Sequence, residues 1–546
     1  MTYIRATSLG DLLLRSAVKW PDNIALIFPD EKITYSQLYE RAFEKARLLQ
    51  GMGIDIDDHV GIMLPNSPAC LEWLFACALS GAVAVMINTR YKSHELEYLV
   101  ENADLRLLVI TSEHKQYTDY VGLLNQIYPE LESASGDTEL AGAPLLERII
   151  VCGDMPVRVG GKMVSEAALL ETGELAKKSS VDRRRASLPL GGYCMMMYTS
   201  GTTSHPKGCP LSHEAVTRKA FSIVDRLEFL ESDRQWNPLP FFHLASLMPM
   251  LATFATGGAY ITDSHFDAGS AWRQILGEKV TILYPAFPVV MADLVTHPDF
   301  AKLDKWQIRL INNVAPPDQL LKNMKLLPHS LHISAYGLTE GTGLSCYSNP
   351  DDDDNTRAHR IGTPLDGTLM KVVDADTGIE CGPGEKGEML IKGYSVFDGY
   401  YRAPETTAKA FTEDGWFRTG DICSLDEAGR VAYQGRLKDT LKVGGENVSA
   451  LEIESCLSTH PAIKFAQVVG VPDPRLQEVV AAFVELNPGA ACDQEEIIDF
   501  CRQRLASFKI PRHVEFVCHW PMSATKVQKF KLRENLMTKL SIQNNG

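Results

Sequence analysis

Short apolar runs alternate with helical patterns along most of this chain, for example at residues 59–64, 107–111, 148–151, 281–284 and 308–312. Strands separated by helices return to a common sheet through crossovers, which makes neighbouring strands parallel. The alternation therefore predicts α/β layers with largely parallel sheets. No internal repeat is visible. The chain has 546 residues, enough for about three to five folding units at roughly 100–200 residues each. The most apolar stretch, 73–87, is interrupted by Ser80-Gly81 and is shorter than the ~20 residues that span a bilayer. It reads as a buried helix followed by a buried strand over 82–87.

Composition narrows the function classes. Lys and Arg total 54 against 69 Asp and Glu, a formal net charge of −15. Such an acidic chain lacks the basic footprint of non-specific nucleic-acid binding, although a local basic pocket for a phosphorylated ligand stays compatible with it. The 12 cysteines form no CxxC pair and sit in apolar neighbourhoods such as those of Cys70, Cys77 and Cys501. They read as reduced core residues of a cytosolic protein. The opening Met1-Thr2-Tyr3-Ile4-Arg5 lacks the plan of a signal peptide, and the closing Gln543-Asn544-Asn545-Gly546 carries no peroxisomal or lipidation signal. The expectation is a cytoplasmic protein. The four aspartates at 351–354, beside Asn349-Pro350, read as a solvated loop rather than a metal site.

After Gly435 the texture changes to a compact α+β unit. Ser449 and Glu452 have capping-box spacing ahead of a helix face with Leu451 and Leu457, and Asp493 and Glu496 repeat that spacing ahead of Ile497 and Cys501. Strands are expected at 465–471, 479–486 and 513–517. The reading is a large domain over 1–435 and a small one over 436–546, joined at Gly435-Arg436-Leu437-Lys438-Asp439.

The segment most informative about chemistry is Tyr198-Thr199-Ser200-Gly201-Thr202-Thr203-Ser204-His205-Pro206-Lys207-Gly208, between an apolar run and a helical pattern that starts near Glu214. Glycine lets backbone N–H groups turn toward one point, hydroxyls add donors, and Lys207 adds charge, which together make an anion cradle for phosphates. The string is not the GxxxxGK[ST] loop of P-loop NTPases.

With this string in place, the chain resembles the adenylate-forming superfamily of acyl-CoA synthetases, peptide-synthetase adenylation domains and firefly-type luciferases. Further ordered blocks carry the resemblance: Tyr336-Gly337-Leu338-Thr339-Glu340; Gly399-Tyr400-Tyr401-Arg402, closing at Asp414-Gly415-Trp416-Phe417-Arg418-Thr419-Gly420-Asp421; and Gly435-Arg436-Leu437-Lys438-Asp439 with Lys442-Val443-Gly444-Gly445-Glu446-Asn447-Val448. The resemblance covers essentially the whole chain. It implies activation of a carboxylate by ATP, then transfer of the acyl group to the thiol of coenzyme A. By resemblance, Thr199, Ser200, Gly201, Thr202, Thr203 and Lys207 hold the β/γ-phosphates, and Glu340 ligates Mg²⁺, a hard cation suited to oxygen donors. Thr339 bonds the α-phosphate, Tyr336 with Gly337 meets adenine, Asp421 accepts the ribose hydroxyls, and Arg436 adds a ribose or phosphate contact.

The acyl pocket is placed at Pro240-Phe241-Phe242-His243, with His243 near the substrate carboxylate. Phe242, Ala245, Gly341 and Gly343 are expected to line it, with small side chains leaving room for a bulky apolar acid. Lys438 matches the family hinge, about which the small domain turns between the two half-reactions. Lys442, Gly444 and Gly445 then face the thiol of coenzyme A.

Two departures stand out. Ser204-His205 fills an interval where the family has a glycine. Near the C-terminus, Pro521-Met522-Ser523-Ala524-Thr525-Lys526 lacks the glycine that precedes the family's catalytic lysine, so Lys526 sits on a loop one residue short. One residue is worth ~3.3–3.6 Å of reach, and an ångström of misplacement can cost on the order of 10²-fold in rate. The expectation is an acyl-CoA ligase that works through an acyl-adenylate with a re-routed loop, and impairment of its adenylation step by the shortened loop is the competing outcome. A thioesterification-only partner of another adenylating enzyme, a stand-alone enzyme loading a carrier protein and a non-catalytic nucleotide-binding relative stay open. So does a luciferase-like oxygenase, disfavoured for want of a peroxisomal signal. The partners expected are a small carboxylic acid, nucleotide and coenzyme A, with no nucleic acid and no membrane span.

Overall fold

The stretch 73–87 shows how local sequence sets the layers. Ser67 accepts from the N–H of Cys70, Pro68 opens the helix Pro68–Ser80, and Gly81 ends it in the left-handed region at φ 88°. Pro at the first turn and Gly past the last are the usual terminators. The helix is buried nearly all round, and the chain returns as the strand Val83–Met86. The computed structural model describes residues 5–113, 117–132, 138–153, 161–199, 206–443, 446–522 and 527–544.

Two seven-stranded sheets dominate. One runs in the order Met163–Ser165, Arg148–Cys152, Leu105–Thr111, His59–Ile62, Val83–Met86, Tyr193–Thr199, Lys207–Ser212. All its pairings are parallel except the last, where Tyr193–Thr199 and Lys207–Ser212 form an antiparallel pair. The other runs Leu331–Ile333, Leu310–Asn313, Ile282–Ala286, Arg234–Trp236, Ala259–Ile261, Ile24–Ile27, Lys32–Thr34, and only its final pair is antiparallel. The helices Leu9–Lys19, Pro68–Ser80, His213–Leu227 and Leu244–Thr256 pack on one another. Their residues join those of both sheets in one large core. The predicted parallel α/β class is the observed one.

Smaller antiparallel sheets complete the large domain. One has Ala335–Leu338, Gly343–Tyr347 and Thr363–Pro364; another has Thr368–Val373, Gly387–Gly393, Phe417–Leu425 and Val431–Arg436. A five-stranded sheet beyond them carries Ile463–Asp473, Gln477–Leu486 and His513–Phe516, close to the expected strands. This smaller C-terminal unit has its own apolar core around Ile453, Val468 and Val484.

Local expectations were met unevenly. The Asp493 box forms with both of its hydrogen bonds. The Ser449 box does not: Ser449 Oγ instead donates to the Gln434 carbonyl at 2.6 Å, and Glu452 pairs with Lys509 at 2.6 Å. A nearby carbonyl and lysine outcompeted the helix terminus for these groups. The aspartate run is only partly a solvated loop. Asp352 is nearly buried against Arg430 at 2.6 Å, and Asp353 caps the helix Asp354–His359 through the Thr356 N–H. Arg430 holds the Asp352 carboxyl below its usual range. All 12 cysteines are free thiols, but the reading of them as core residues holds for eight, Cys70, Cys77 and Cys501 among them. Cys381, Cys456 and Cys492 are half-buried and Cys518 is exposed, each lying where its helix or loop reaches the surface. Among the described residues no helix is long and apolar enough to cross a membrane.

Candidate active site

The string read as a phosphate cradle joins two strands at one sheet edge. Thr199 ends Tyr193–Thr199 and Lys207 begins Lys207–Ser212, and the two are paired across the antiparallel ladder. Ser200, Gly201, Thr202 and Thr203 lie outside the described residues. Lys207 Nζ is 5.0 Å from the centre of the Tyr400 ring, and Tyr400 Oη donates to Glu340 Oε1 at 2.8 Å. The Tyr401 N–H donates to the Gly208 carbonyl at 2.9 Å, which ties this segment to the base of the phosphate string. Burial, with the Glu340 carboxylate beside it, pushes the Tyr400 phenol up, so it stays a hydrogen-bond donor. Tyr400 was visible only as part of a matching block; its place between Lys207 and Glu340 is a product of the fold.

A second cluster adjoins the first. Tyr336, on Ala335–Leu338, is nearly buried and donates through Oη to Asp421 Oδ2 at 2.8 Å. Asp421, 1% exposed on Phe417–Leu425, meets Arg436 Nε through Oδ1 at 3.0 Å. The two residues are also register partners across that sheet. Burial opposes the Arg436 charge, but Asp421, Tyr433, Tyr336 and Glu340 outweigh it and raise its pKa. Burial and the Asp421 charge raise the Tyr336 phenol. Tyr433 lies 6.2 Å from Tyr336, ring centre to centre. Tyr336, 85 positions before Asp421, and Arg436, 15 after it, thus meet in one polar seat.

Between the clusters runs the turn Thr339–Gly341, closed by the Thr342 N–H on the Thr339 carbonyl at 3.0 Å. Thr342 is non-glycine yet holds φ 57°. A Cβ on Gly337 would stand 1.7 Å from the Gly343 carbonyl oxygen, so only glycine fits there.

His243 precedes the helix Leu244–Thr256, beside the Phe242 ring at 4.7 Å. Ala245 packs with Leu239, Tyr284 and Ala286. The glycines expected to line the acyl pocket stand close to their neighbours. A Cβ on Gly343 would meet Leu244 at 2.8 Å and Met248 at 3.2 Å, and one on Gly341 would meet Ser345 Oγ at 2.7 Å. Their smallness serves close packing of the turn in this structure.

The segment expected to act as the hinge follows at once. Arg436 leads into the turn Leu437–Asp439, which contains Lys438, and Gly435 has φ 126°. A cavity of about 70 Å³ lies here, bordered by Arg436, Asp439, Ser449, Glu454 and Lys529. Lys442, exposed on Thr440–Val443, donates its N–H to Glu478 Oε2 at 2.9 Å. Gly444, Gly445 and Lys526 lie outside the described residues. Lys526 is flanked by the bridged pair Met522 and Val527, and Lys529 pairs with Glu454 at 2.6 Å.

Among the described residues no group of three or more His, Cys, Asp or Glu converges on one point.

The sequence profile of the AMP-binding enzyme family matches residues 13–401, and that of its C-terminal domain matches 452–526. The chain belongs to this family. It is 35% identical over 540 residues to a putative acyl-CoA synthetase, YngI, of Bacillus subtilis strain 168, covering 97% of each. It is 31% identical to the mitochondrial medium-chain acyl-CoA ligase ACSF2 of Rattus norvegicus, covering 98% of this chain and 88% of that one. Among solved structures, the anthranilate CoA ligase AuaEII in complex with anthranoyl-AMP superposes with a TM-score of 0.83 at 26% identity over 99% of both chains. ATP-bound MatB of Rhodopseudomonas palustris gives 0.78 at 27% identity over 96% and 98%. The protein is an acyl-CoA synthetase-like, adenylate-forming enzyme, an acid–thiol ligase of the AMP-forming kind.

Proposed function

We propose that the chain converts a carboxylic acid to its coenzyme A thioester in two steps at one site. First the acid's carboxylate oxygen attacks the α-phosphorus of ATP and pyrophosphate leaves. Then the thiol attacks the acyl carbon, AMP leaves, and the thiol proton passes to solvent or base. The observation that carries this reading is the junction of the Lys207–Tyr400–Glu340 cluster with the Tyr336–Asp421–Arg436 seat across one turn.

In this reading Lys207, Thr199 and the string 200–203 bind the β/γ-phosphates, and Thr339 binds the α-phosphate. Asp421 receives the ribose hydroxyls beside Arg436, and Tyr336 with Gly337 borders adenine. Glu340 would hold Mg²⁺, which when bound neutralises charge between the two anions. His243 and Phe242 stand at the carboxylate. Leu244 and Met248, on the helix beside Gly343, give the acid an apolar wall. An acid with an apolar body is expected, in keeping with the medium-chain and aromatic acids named for the relatives. The domain boundary falls at 435/436, Lys438 is the pivot, and Lys442, Gly444 and Gly445 serve the thiol. Twelve free thiols suit a reducing compartment, here the cytoplasm.

A second reading rests on one departure from the pattern the chain resembles: Thr525, with no glycine, directly precedes Lys526. If the shortened loop misplaces that lysine, the chain works chiefly in thioester formation on an adenylate made by another enzyme. Pyrophosphate release with acid, ATP and Mg²⁺ but no coenzyme A separates the readings. Brisk release supports the two-step ligase. Absent release with active transfer from supplied acyl-adenylate supports the second. Transfer to a phosphopantetheinyl protein but not coenzyme A makes it a carrier-loading enzyme, and loss of both half-reactions makes it a nucleotide-binding relative. An acid panel led by acetate would refute the apolar acid.

A further inference from the structure

The helix His213–Leu227 continues directly from the strand that starts at Lys207, and it carries a lysine with no place in the chemistry above. Lys219 is 0% exposed, and its Nζ donates to Thr368 Oγ1 at 3.1 Å. Among the described residues no carboxylate pairs with it. Burying an amine against a lone hydroxyl is costly; burial lowers its pKa to about 7. Its other polar neighbours are the Tyr394 ring, 5.8 Å away, and the Cys346 thiol, while Arg218 of the same helix lies on Tyr394 at 3.7 Å. A methionine would fill the same space without that cost, so packing alone does not account for the amine.

The contacts lead from Lys219 to the turn between the two clusters. Thr368 Oγ1 is 3.3 Å from Ser395 Oγ. The Ser395 carbonyl accepts from Thr342 Oγ1 at 2.6 Å, and two residues on, the Phe397 N–H donates to the Glu340 carbonyl at 2.9 Å. Tyr394 of the same segment lies 3.3 Å from Ser222 Oγ of the helix. Thr342 is β-branched, fully buried and held in the left-handed region. Such a conformation persists where its surroundings over-determine it. The segment 393–397 is thus clasped between the helix behind the phosphate string and the turn that bears Thr339 and Glu340.

We propose that Lys219 is a positioning residue for adenylation: seated on Thr368, it fixes the Thr368–Ser395 support of the Thr339–Thr342 turn and so aims Glu340 at magnesium–ATP. The inference rests on the reading of Glu340 as the carboxylate that meets the metal–nucleotide.

The test uses the full chain as K219M, T368V and K219M/T368V, with E340Q alongside. Pyrophosphate release is followed against magnesium–ATP concentration, and thioester formation is followed separately from pre-formed acyl-adenylate and coenzyme A. K219M is expected to melt at or above the wild-type temperature. Its KM for magnesium–ATP should rise about three- to tenfold, the range of one lost buried hydrogen bond, while transfer to coenzyme A changes less than about twofold. The double variant should be no worse than K219M, because the two residues act through one contact. T368V, which keeps the lysine but removes its acceptor, carries the same expectation should K219M not fold. Unchanged magnesium–ATP dependence overturns the proposal, as does a lowered melting temperature with both half-reactions depressed alike. Normal adenylation by E340Q refutes the role of Glu340 and with it the route assigned to Lys219. Impaired E340Q with unaffected K219M refutes Lys219 alone. A wild-type chain that releases no pyrophosphate refutes the two-step reading and this inference together.

Discussion

Gly337 offers the sharpest steric test of the site. Its strand pairs with Gly343–Tyr347, with a register irregularity between Tyr336 and Gly337. In G337A the new Cβ would stand 1.7 Å from the Gly343 oxygen and 2.6 Å from its carbonyl carbon. Real Cβ contacts essentially never fall below 3.0 Å, so the strands must part by 3.0 − 1.7 = 1.3 Å along that line. Both partners are backbone, so no side-chain rotation relieves the clash. Overpacking of this kind costs about 1–3 kcal/mol of stability. Because Thr339 and Glu340 follow within three residues, a shift of about an ångström should lower kcat/KM for adenylation on the order of 10²-fold. The assay is pyrophosphate release beside a thermal melt. G191A is the comparator, since nothing lies within 4 Å of a Cβ there, and it should stay within about 0.5 kcal/mol of wild type. A G337A enzyme within about threefold of wild-type kcat/KM would refute the reasoning.

Other expectations follow from the same geometry. D421N removes the charge that receives Tyr336 Oη and Arg436 Nε; AMP affinity by calorimetry should fall roughly 10- to 150-fold, the range for hydrogen bonds to a charged group, and unchanged affinity would count against the seat. Lys219 gives a pH signature. Its folded pKa of about 7 lies below the ordinary 10.5, so between those values the unfolded chain holds a proton that the folded chain has lost. Stability should therefore rise with pH across that window by up to about 1.4 kcal/mol per unit, and urea midpoints of K219M, compared with wild type from pH 7 upward, should lack that contribution; parallel curves would refute it. T342G relieves the left-handed backbone but deletes the hydroxyl on Ser395. Adenylation should fall while the fold survives by circular dichroism, and full activity would show that the hydroxyl does not support the turn.

How far the sequence can be read depends on the range of the forces involved. Alternating apolar runs mark parallel sheets because burial of a strand's two faces is written in its own residues, and the strands at 59–62 and 105–111 fell where that pattern put them. Caps were less legible. The spacing at 493 and 496 produced its box, but the same spacing at 449 and 452 did not, because the Gln434 carbonyl and Lys509 compete from elsewhere in the fold. Small residues say less about their surroundings: Gly341 and Gly343 read as pocket space, and in the fold a Cβ on either would meet Ser345 or Leu244 and Met248.

By itself, then, the sequence determined the class of fold, because layers follow from the period of its apolar runs, and the family, because that follows from short ordered strings. Only the tertiary structure decided which groups meet. Tyr336, Asp421 and Arg436 become one seat through paired strands. Tyr400 comes between Lys207 and Glu340. Lys219, unremarkable in its helix, is buried against Thr368. Hydrogen bonds and desolvation act over a few ångströms in space, and no distance along the chain encodes them.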